Sequence, residues 1–548
     1  MPRLFTPAIG RRELLGAAGA SLLTAPGLAQ TTPPPPAQPK GQVIIGVSQE
    51  PTRFHPLAPA IEVDQGVWWN LFSPLWNVQP DGSYVPMLAR EVPSVENGGI
   101  SPDGLVWRIR LREGVKWHDG APVTAEDVKF TLDLINNPDF RAASRSGHNL
   151  VRDLQVVGPH EITWRMAEPY APYPSRLAWT FIVPKHLLEK VSDINNPPFL
   201  GQPVGTGPFK WGERVPGDHI TLLANRDYFG EGPYVERLVF KYIPDLTVMY
   251  TQFRTGEIDH TSIQGITADL YQQAQTLRER IVSKTPSGSV ESITVNLGWS
   301  FMDQRPVREA LYLAMNKKAV IDAIYYGVPA ATESIYPQQS AFYNPDLPKH
   351  EHNPAKANAI LDAAGWARGR DGVRAKGGVR LEFDNSTTAG NQVREQAQQL
   401  LMQDWKAIGA AMKISNMPGA VIWGDFWSMS KFQSVMVGVT FGIGADPDVT
   451  DRLASTAIPA RGGSGRNTSQ YSNPEVDALL KAGMTTFDPA RRREIYRKVQ
   501  AHVREDLPIL PLFQSASVEG RKKGLIGYQP NINTLSNCWN CGSWYWAG

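Results

Sequence analysis

At four places in the second half of the chain a proline stands where the first turn of a helix would begin: Pro306, Pro354, Pro474 and Pro489. Proline is tolerated there because a helix start leaves that N–H unpaired anyway. Asn353, Asn473 and Asp488 precede three of them as N-caps, with side chains able to accept from free first-turn N–H groups. The spacing behind them is helical. Val307, Ala310, Leu311, Ala314 and Met315 form one apolar stripe, and Val393, Ala397, Leu400, Leu401 and Ile408 form another, with Gly409 as its stop. Strand-like runs lie between, at 292–297, 379–383 and 435–441. Alternation of this kind predicts an α/β lobe, and no solenoid-type period interrupts it.

The first half mixes the same elements. Residues 42–47 form an apolar strand. Over 105–112, Trp107, Ile109 and Leu111 alternate with Arg108, Arg110 and Arg112, which predicts a half-buried strand with a solvated face. Thr124 then caps a helix, with Asp127 three residues on. Val128, Leu132 and Ile135 follow at helical spacing, and Pro138 ends it. His118-Asp119, just ahead, reads as turn chemistry rather than a catalytic pair.

The N-terminus reads as a targeting segment. Arg11-Arg12-Glu13-Leu14-Leu15 is a twin-arginine pattern, followed by an apolar stretch too short to span a bilayer. Gly27-Leu28-Ala29 offers a small-residue cleavage site, so residues 1–29 are expected to be a signal peptide and the protein to act in the periplasm. The Pro-rich run 30–40 is expected to be an extended tether, with ordered structure from about Gly41. The formal charge is +2, and losing residues 1–29 removes three arginines and one glutamate, leaving zero. A neutral chain without a basic stripe argues against nucleic acid.

Catalytic signals are weak. There is no Gly-x-Ser-x-Gly elbow and no His-Glu-x-x-His. His350 and His352 flank Glu351 without a recognisable third and fourth metal ligand, and read as turn histidines. The glycines of 438–444 lack the order of a dinucleotide loop. Neither metal nor cofactor is implied. Cys538 and Cys541 lack the βαβ context of a redox motif; a small structural disulfide is the alternative reading in an oxidising compartment. Sixteen tryptophans are the compositional oddity, residues suited to a ligand cleft as well as a core.

Seven segments match one further pattern. Residues 116–128 read Lys-Trp-His-Asp-Gly-Ala-Pro-Val-Thr-Ala-Glu-Asp-Val, and 205–209 read Gly-Thr-Gly-Pro-Phe. Thr255-Gly256-Glu257-Ile258-Asp259 follows, then Asn296 with Pro306-Val307-Arg308-Glu309-Ala310-Leu311 and residues 314–318. Ala355-Lys356-Ala357 with Leu361-Asp362-Ala363-Ala364-Gly365-Trp366, then 471–477 and 507–512, complete the order. In this order the segments resemble the bacterial extracellular solute-binding proteins of family 5, the peptide- and nickel-type receptors of ABC importers. The resemblance implies an α/β, two-lobed periplasmic-binding-protein-like fold with an extra subdomain inserted in lobe one. It puts lobe one at 41–85, 201–288 and 515–548, the subdomain at 86–200 and lobe two at 289–514. It implies a monomeric receptor, not an enzyme, that closes on a peptide or peptide-like solute and delivers it to permease subunits in the inner membrane. A non-peptide solute (opine, sugar or metal chelate) is the alternative, and a periplasmic hydrolase or chaperone a lesser one.

By position in the family, cleft residues are expected at Thr440, Phe441, Gly442, Ile443 and Asp446, and at Phe513 and Gln514. Trp68, Trp69, Asn70, Trp423 and Trp427 are further candidates. Peptide-binding members carry a carboxylate for the ligand's amine just before the acidic-Pro motif. Counting back from Pro447 without a gap places Ile443 there; a local gap brings Asp446 there instead.

Overall fold

The computed structural model describes residues 33–262, 265–440 and 445–547. The signal segment 1–29 and the candidates Phe441, Gly442 and Ile443 lie outside the described residues.

Two long strands organise the molecule. Arg280–Val295 and Ile509–Lys522 run antiparallel, paired from Arg280 against Lys522 to Thr294 against Ile509. Ser434–Thr440 joins the far half of the first, and Glu382–Ser386 and Ala411–Ile414 extend that flank in parallel. His260–Thr261 joins the near half of the second, followed by Gln42–Val47, Arg237–Tyr242, His219–Ala224 and Phe209–Val215. One ladder therefore carries both lobes. It breaks at the crossing, where the partners jump from Pro286–Ala516 to Val290–Gln514. Pro286 has no N–H to donate, so the ladder is weakest where the chain changes lobes.

Each lobe buries its own core. Val43, Ile45, Val67, Trp68 and Phe240 belong to the first, and Ile293, Leu311, Phe383, Leu401 and Trp405 to the second. The extra subdomain is built on a three-stranded sheet of Val106–Arg110, Glu161–Met166 and Val151–Gly158. Its core holds Trp76, Trp107, Trp117 and Trp164, with the Trp107 and Trp164 rings stacked 6.0 Å apart. Leu75 and Trp76 belong to that core although they precede residue 86. The architecture is thus α/β, two lobes plus an extra subdomain.

The capped helices form as their sequence predicts. Asn353, Asn473 and Asp488 accept from Lys356, Glu475 and Arg491 N–H at the starts of Pro354–Ala363, Pro474–Thr485 and Pro489–Asp506, each cap adding about 1 kcal/mol. Asp127 accepts from Thr124 N–H at 2.9 Å and starts Ala125–Asn136. The arginine face of Val106–Arg110 is exposed and meets Glu91 and Glu161.

Two expectations need correction. The run 379–383 is not one strand: Val379–Arg380 closes a small sheet with Arg374–Lys376, and the main-sheet strand starts at Glu382. The buried Arg374 guanidinium pins that hairpin through Asp362 and the carbonyls of Trp366 and Ile408. Residues 33–40 of the Pro-rich run are tied down before Gly41, since Pro33 O accepts from the Tyr545 hydroxyl and Lys40 N–H donates to Tyr234 O.

Candidate functional site

The two opening sequence motifs meet in space. His118 N–H donates to Gly205 O, Gly205 N–H donates to His118 Nδ1 at 3.0 Å, and Nε2 lies 3.1 Å from Gly207 O. With Nδ1 accepting, Nε2 carries the proton, so the ring is neutral. Burial also lowers its pKa to about 4. The loop presses on the end of helix Glu62–Leu71. A Cβ on Gly205 would lie 1.9 Å from Leu71 O, and one on Gly207 would lie 2.4 Å from Asn70 O. His118 is therefore a clip that fixes the helix carrying Trp68, Trp69 and Asn70. Asp119 turns away to His186 Nε2 at 2.8 Å.

That helix forms one wall of a cavity of about 400 Å³ between the first lobe and the extra subdomain, a size suited to a small solute. Trp68, Trp179 and Phe181 supply its aromatic surface. Trp68 is 4 % exposed and its indole N–H donates to Arg53 O. Polar walls come from Gln65, Ser144, Ser146, His148 and Thr180. Among the described residues Arg176, on the short helix Tyr173–Ala178, is the single charged side chain lining it.

Arg176 is held in place from behind. His148 Nδ1 lies 3.2 Å from the Tyr173 hydroxyl and Nε2 lies 3.2 Å from Thr180 Oγ1, which donates to Arg176 O at 2.8 Å. Burial, and then the charge of Arg176, lowers the His148 pKa to about 3, so this ring stays neutral. Burial opposes the charge of Arg176, but the Tyr170 hydroxyl, Asp446 and Asp448 outweigh it and its pKa rises. Arg176 thus connects the cavity electrostatically with the second lobe.

Asp446 stands across that interface already paired. Arg492 Nη1 and Nη2 donate to Asp446 Oδ2 and Oδ1 at 2.7 and 3.1 Å, a bidentate geometry, and both side chains are 8 % exposed. The third donor, Nε, goes to Gly483 O, and the guanidinium lies over the rings of Phe342 and Tyr496. Asp446, the residue a local gap would bring to the amine-binding place, is thus paired within its own lobe. Asp448 Oδ1 accepts from Thr450 N–H and Oγ1–H. Burial, and then Asp446, raises the Asp448 pKa.

The remaining candidates are dispersed. Trp69 donates to Thr534 O. Asn70 is fully buried, its amide N–H groups bonded to Gly66 O and Cys538 O. Thr440 and Gln514 lie at the lobe crossing, where Gln514 bonds Ser287 O, Gln339 and Gln338 N–H. Phe513 is 2 % exposed and packs on Tyr325 in the second lobe. Trp423 donates to Thr388 and meets Trp427, which stacks on Phe432. Cys538 and Cys541 are buried free thiols, with Cys541 Sγ 3.2 Å from Cys538 O. Among the described residues no cluster could hold a metal ion, and no helix is long and apolar enough to cross a membrane. Sequence reasoning missed Arg176, His148, Trp179 and Arg492. No motif surrounds them, and the fold alone brings them to the cavity and the interface.

Comparison with known proteins agrees with this architecture. The profile of the bacterial extracellular solute-binding proteins, family 5 Middle, matches residues 83–459. The oligopeptide-binding protein AppA of Bacillus subtilis is 26% identical over 532 residues, covering 92% of each chain. The nickel-binding periplasmic protein of Escherichia coli is 25% identical, covering 81% of this chain and 83% of that one. The AppA structure, in complex with a nonapeptide, superposes with a TM-score of 0.74 at 25% identity over 94% of this chain and all of that one. HbpA2 from Haemophilus parasuis shares the fold, with a TM-score of 0.80 at 22% identity over 92% of this chain and all of that one. The chain belongs to the bacterial extracellular solute-binding proteins of family 5, receptors that bind solutes and work with ABC permeases.

Proposed function

We propose that this chain is the exported, monomeric receptor of an ABC importer, which closes its two lobes on a small solute and presents it to permease subunits in the inner membrane. The observation that carries the reading is the single ladder shared by both lobes. Its break at Pro286–Val290, beside Gln514, provides a hinge. The proposed processing is removal of residues 1–29 after the Arg11-Arg12 signal. The proposed lobe boundaries fall at the two crossings, near 288 and 515. A peptide or peptide-like solute is the reading suggested by relatives such as AppA. The Asp446–Arg492 pair favours the other reading, a solute without a free amine. A buried ammonium with no carboxylate partner would be strongly disfavoured.

Two measurements on the secreted protein test the receptor reading. A bound solute should raise the melting temperature with its concentration, as mass action on the folded state requires. The solute should then be recovered unchanged by mass spectrometry. Chemical conversion by the purified protein would overturn the reading.

A further inference from the structure

We infer that the solute is anionic, a small amine-free carboxylate with an apolar body, and that Arg176 is the residue that selects it. The inference rests on the receptor reading and assigns the solute chemistry of the cavity between the first lobe and the extra subdomain, on the first-lobe side of the junction.

The argument begins with the charges available. Among the described residues every side chain lining the cavity is neutral except Arg176, with His148 kept neutral by burial and hydrogen-bonded on both ring nitrogens. No described carboxylate lines it, so an ammonium entering there would lose its water without gaining a counter-ion. The carboxylate that could have reached across from the second lobe, Asp446, has both oxygens on Arg492. Asp448 is buried, and its proximity to Asp446 disfavours its ionisation.

The geometry supplies the other half. Arg176 is positioned from behind by the Thr180–His148–Tyr173 chain, which fixes its backbone carbonyl. Its planar fork matches a carboxylate in two parallel hydrogen bonds. Trp68 and Trp179 provide flat apolar surface for the body of the solute. Gln65 also lines the cavity, and its Oε1 is buried without a hydrogen-bond partner. It is an acceptor suited to a hydroxyl or amide N–H of the solute. One cation and two tryptophans describe a carboxylate with an apolar body better than a free-amine peptide.

The test is titration calorimetry on the whole secreted protein with matched sets of probes on aryl and short acyl frames. Each set contains a carboxylate, its primary amide and the corresponding amine; indole-3-acetate, indole-3-acetamide and tryptamine are one set. Carboxylates should bind at least about tenfold more tightly than their amides, and amines not at all. Arg176→Ala should weaken carboxylate binding about 30-fold or more, as loss of one partner of a desolvated charge pair does, and should abolish the preference over amides. Arg176→Lys should recover part of it. Unliganded melting curves show whether each variant is folded. Equal or tighter binding of amides or amines, no binding by any carboxylate, or an unchanged preference in folded Arg176→Ala would overturn the inference. An amide or amine that binds and closes the lobes would sink the anion assignment and leave the receptor standing. A carboxylate that depends on Arg176 but leaves the radius of gyration unchanged would do the reverse.

Discussion

Two arginines face the junction of the lobes and differ in what surrounds them. Arg492, in the second lobe, has each of its three guanidinium nitrogens hydrogen-bonded: two to Asp446, one to Gly483 O. Arg176, on the extra subdomain, lines an open cavity, and its described partners are the Tyr170 hydroxyl and two more distant carboxylates. The first arrangement is complete without a ligand. The second leaves hydrogen-bonding capacity for one. A charge that closes on its own lobe serves the fold, whereas a charge that lines the space between elements is available to recognise what enters it.

The sharpest way to break this comparison is to truncate the closed pair. Arg492→Ala leaves the Asp446 carboxylate buried without its partner, and should lower unfolding free energy by about 3–5 kcal/mol. Urea titration followed by circular dichroism measures it, and a loss under about 1 kcal/mol would place Arg492 among surface ion pairs instead. Arg176→Ala should cost less unliganded stability than Arg492→Ala, because it breaks no bidentate carboxylate pair, while removing solute affinity. A collapse of stability in Arg176→Ala would make the two sites equivalent and the comparison empty.

Asp448 gives a smaller effect with a defined sign. Its folded pKa is raised by burial and by Asp446, so the fold favours the protonated form. The associated stability is fully present below the unfolded carboxylate pKa and is lost as pH rises through the folded value. Asp448→Asn keeps an acceptor for both Thr450 hydrogen bonds and cannot ionise. The variant should match wild type in acid and become the more stable protein as pH rises to 7. Greater stability of wild type at pH 7 would mean that an ionised Asp448 is needed, as counter-ion to Arg176.

The legibility of these features in the sequence follows their range. The starts at Pro354, Pro474 and Pro489 were readable because a cap and a proline act on their own helix turn. The alternation around Trp107 and Ile109 was readable because one sheet face is buried. The long strand Arg280–Val295 was visible only in its last four residues. Pro286, Ser287, Gly288 and Ser289 interrupt the pattern, and the pairing with Ile509–Lys522 is itself broken between Pro286 and Val290. The family pattern located the region of Asp446 but not its partner, because Arg492 lies 46 positions further on. Asn70 is a cleft candidate by position, yet its amide secures the C-terminal segment at Cys538 O. Arg176 carried no local signal at all. Its meaning comes from a short helix laid against His148 and Trp68 by long-range folding.

The central claim is that this family 5 receptor closes about the two crossing strands when a solute enters the cavity beside Arg176. Small-angle X-ray scattering on the secreted protein, with and without a saturating carboxylate that binds by calorimetry, tests it most directly. The account predicts a smaller radius of gyration with the solute and no such change in Arg176→Ala at the same concentration. An unchanged radius in the wild-type protein at saturation would contradict it.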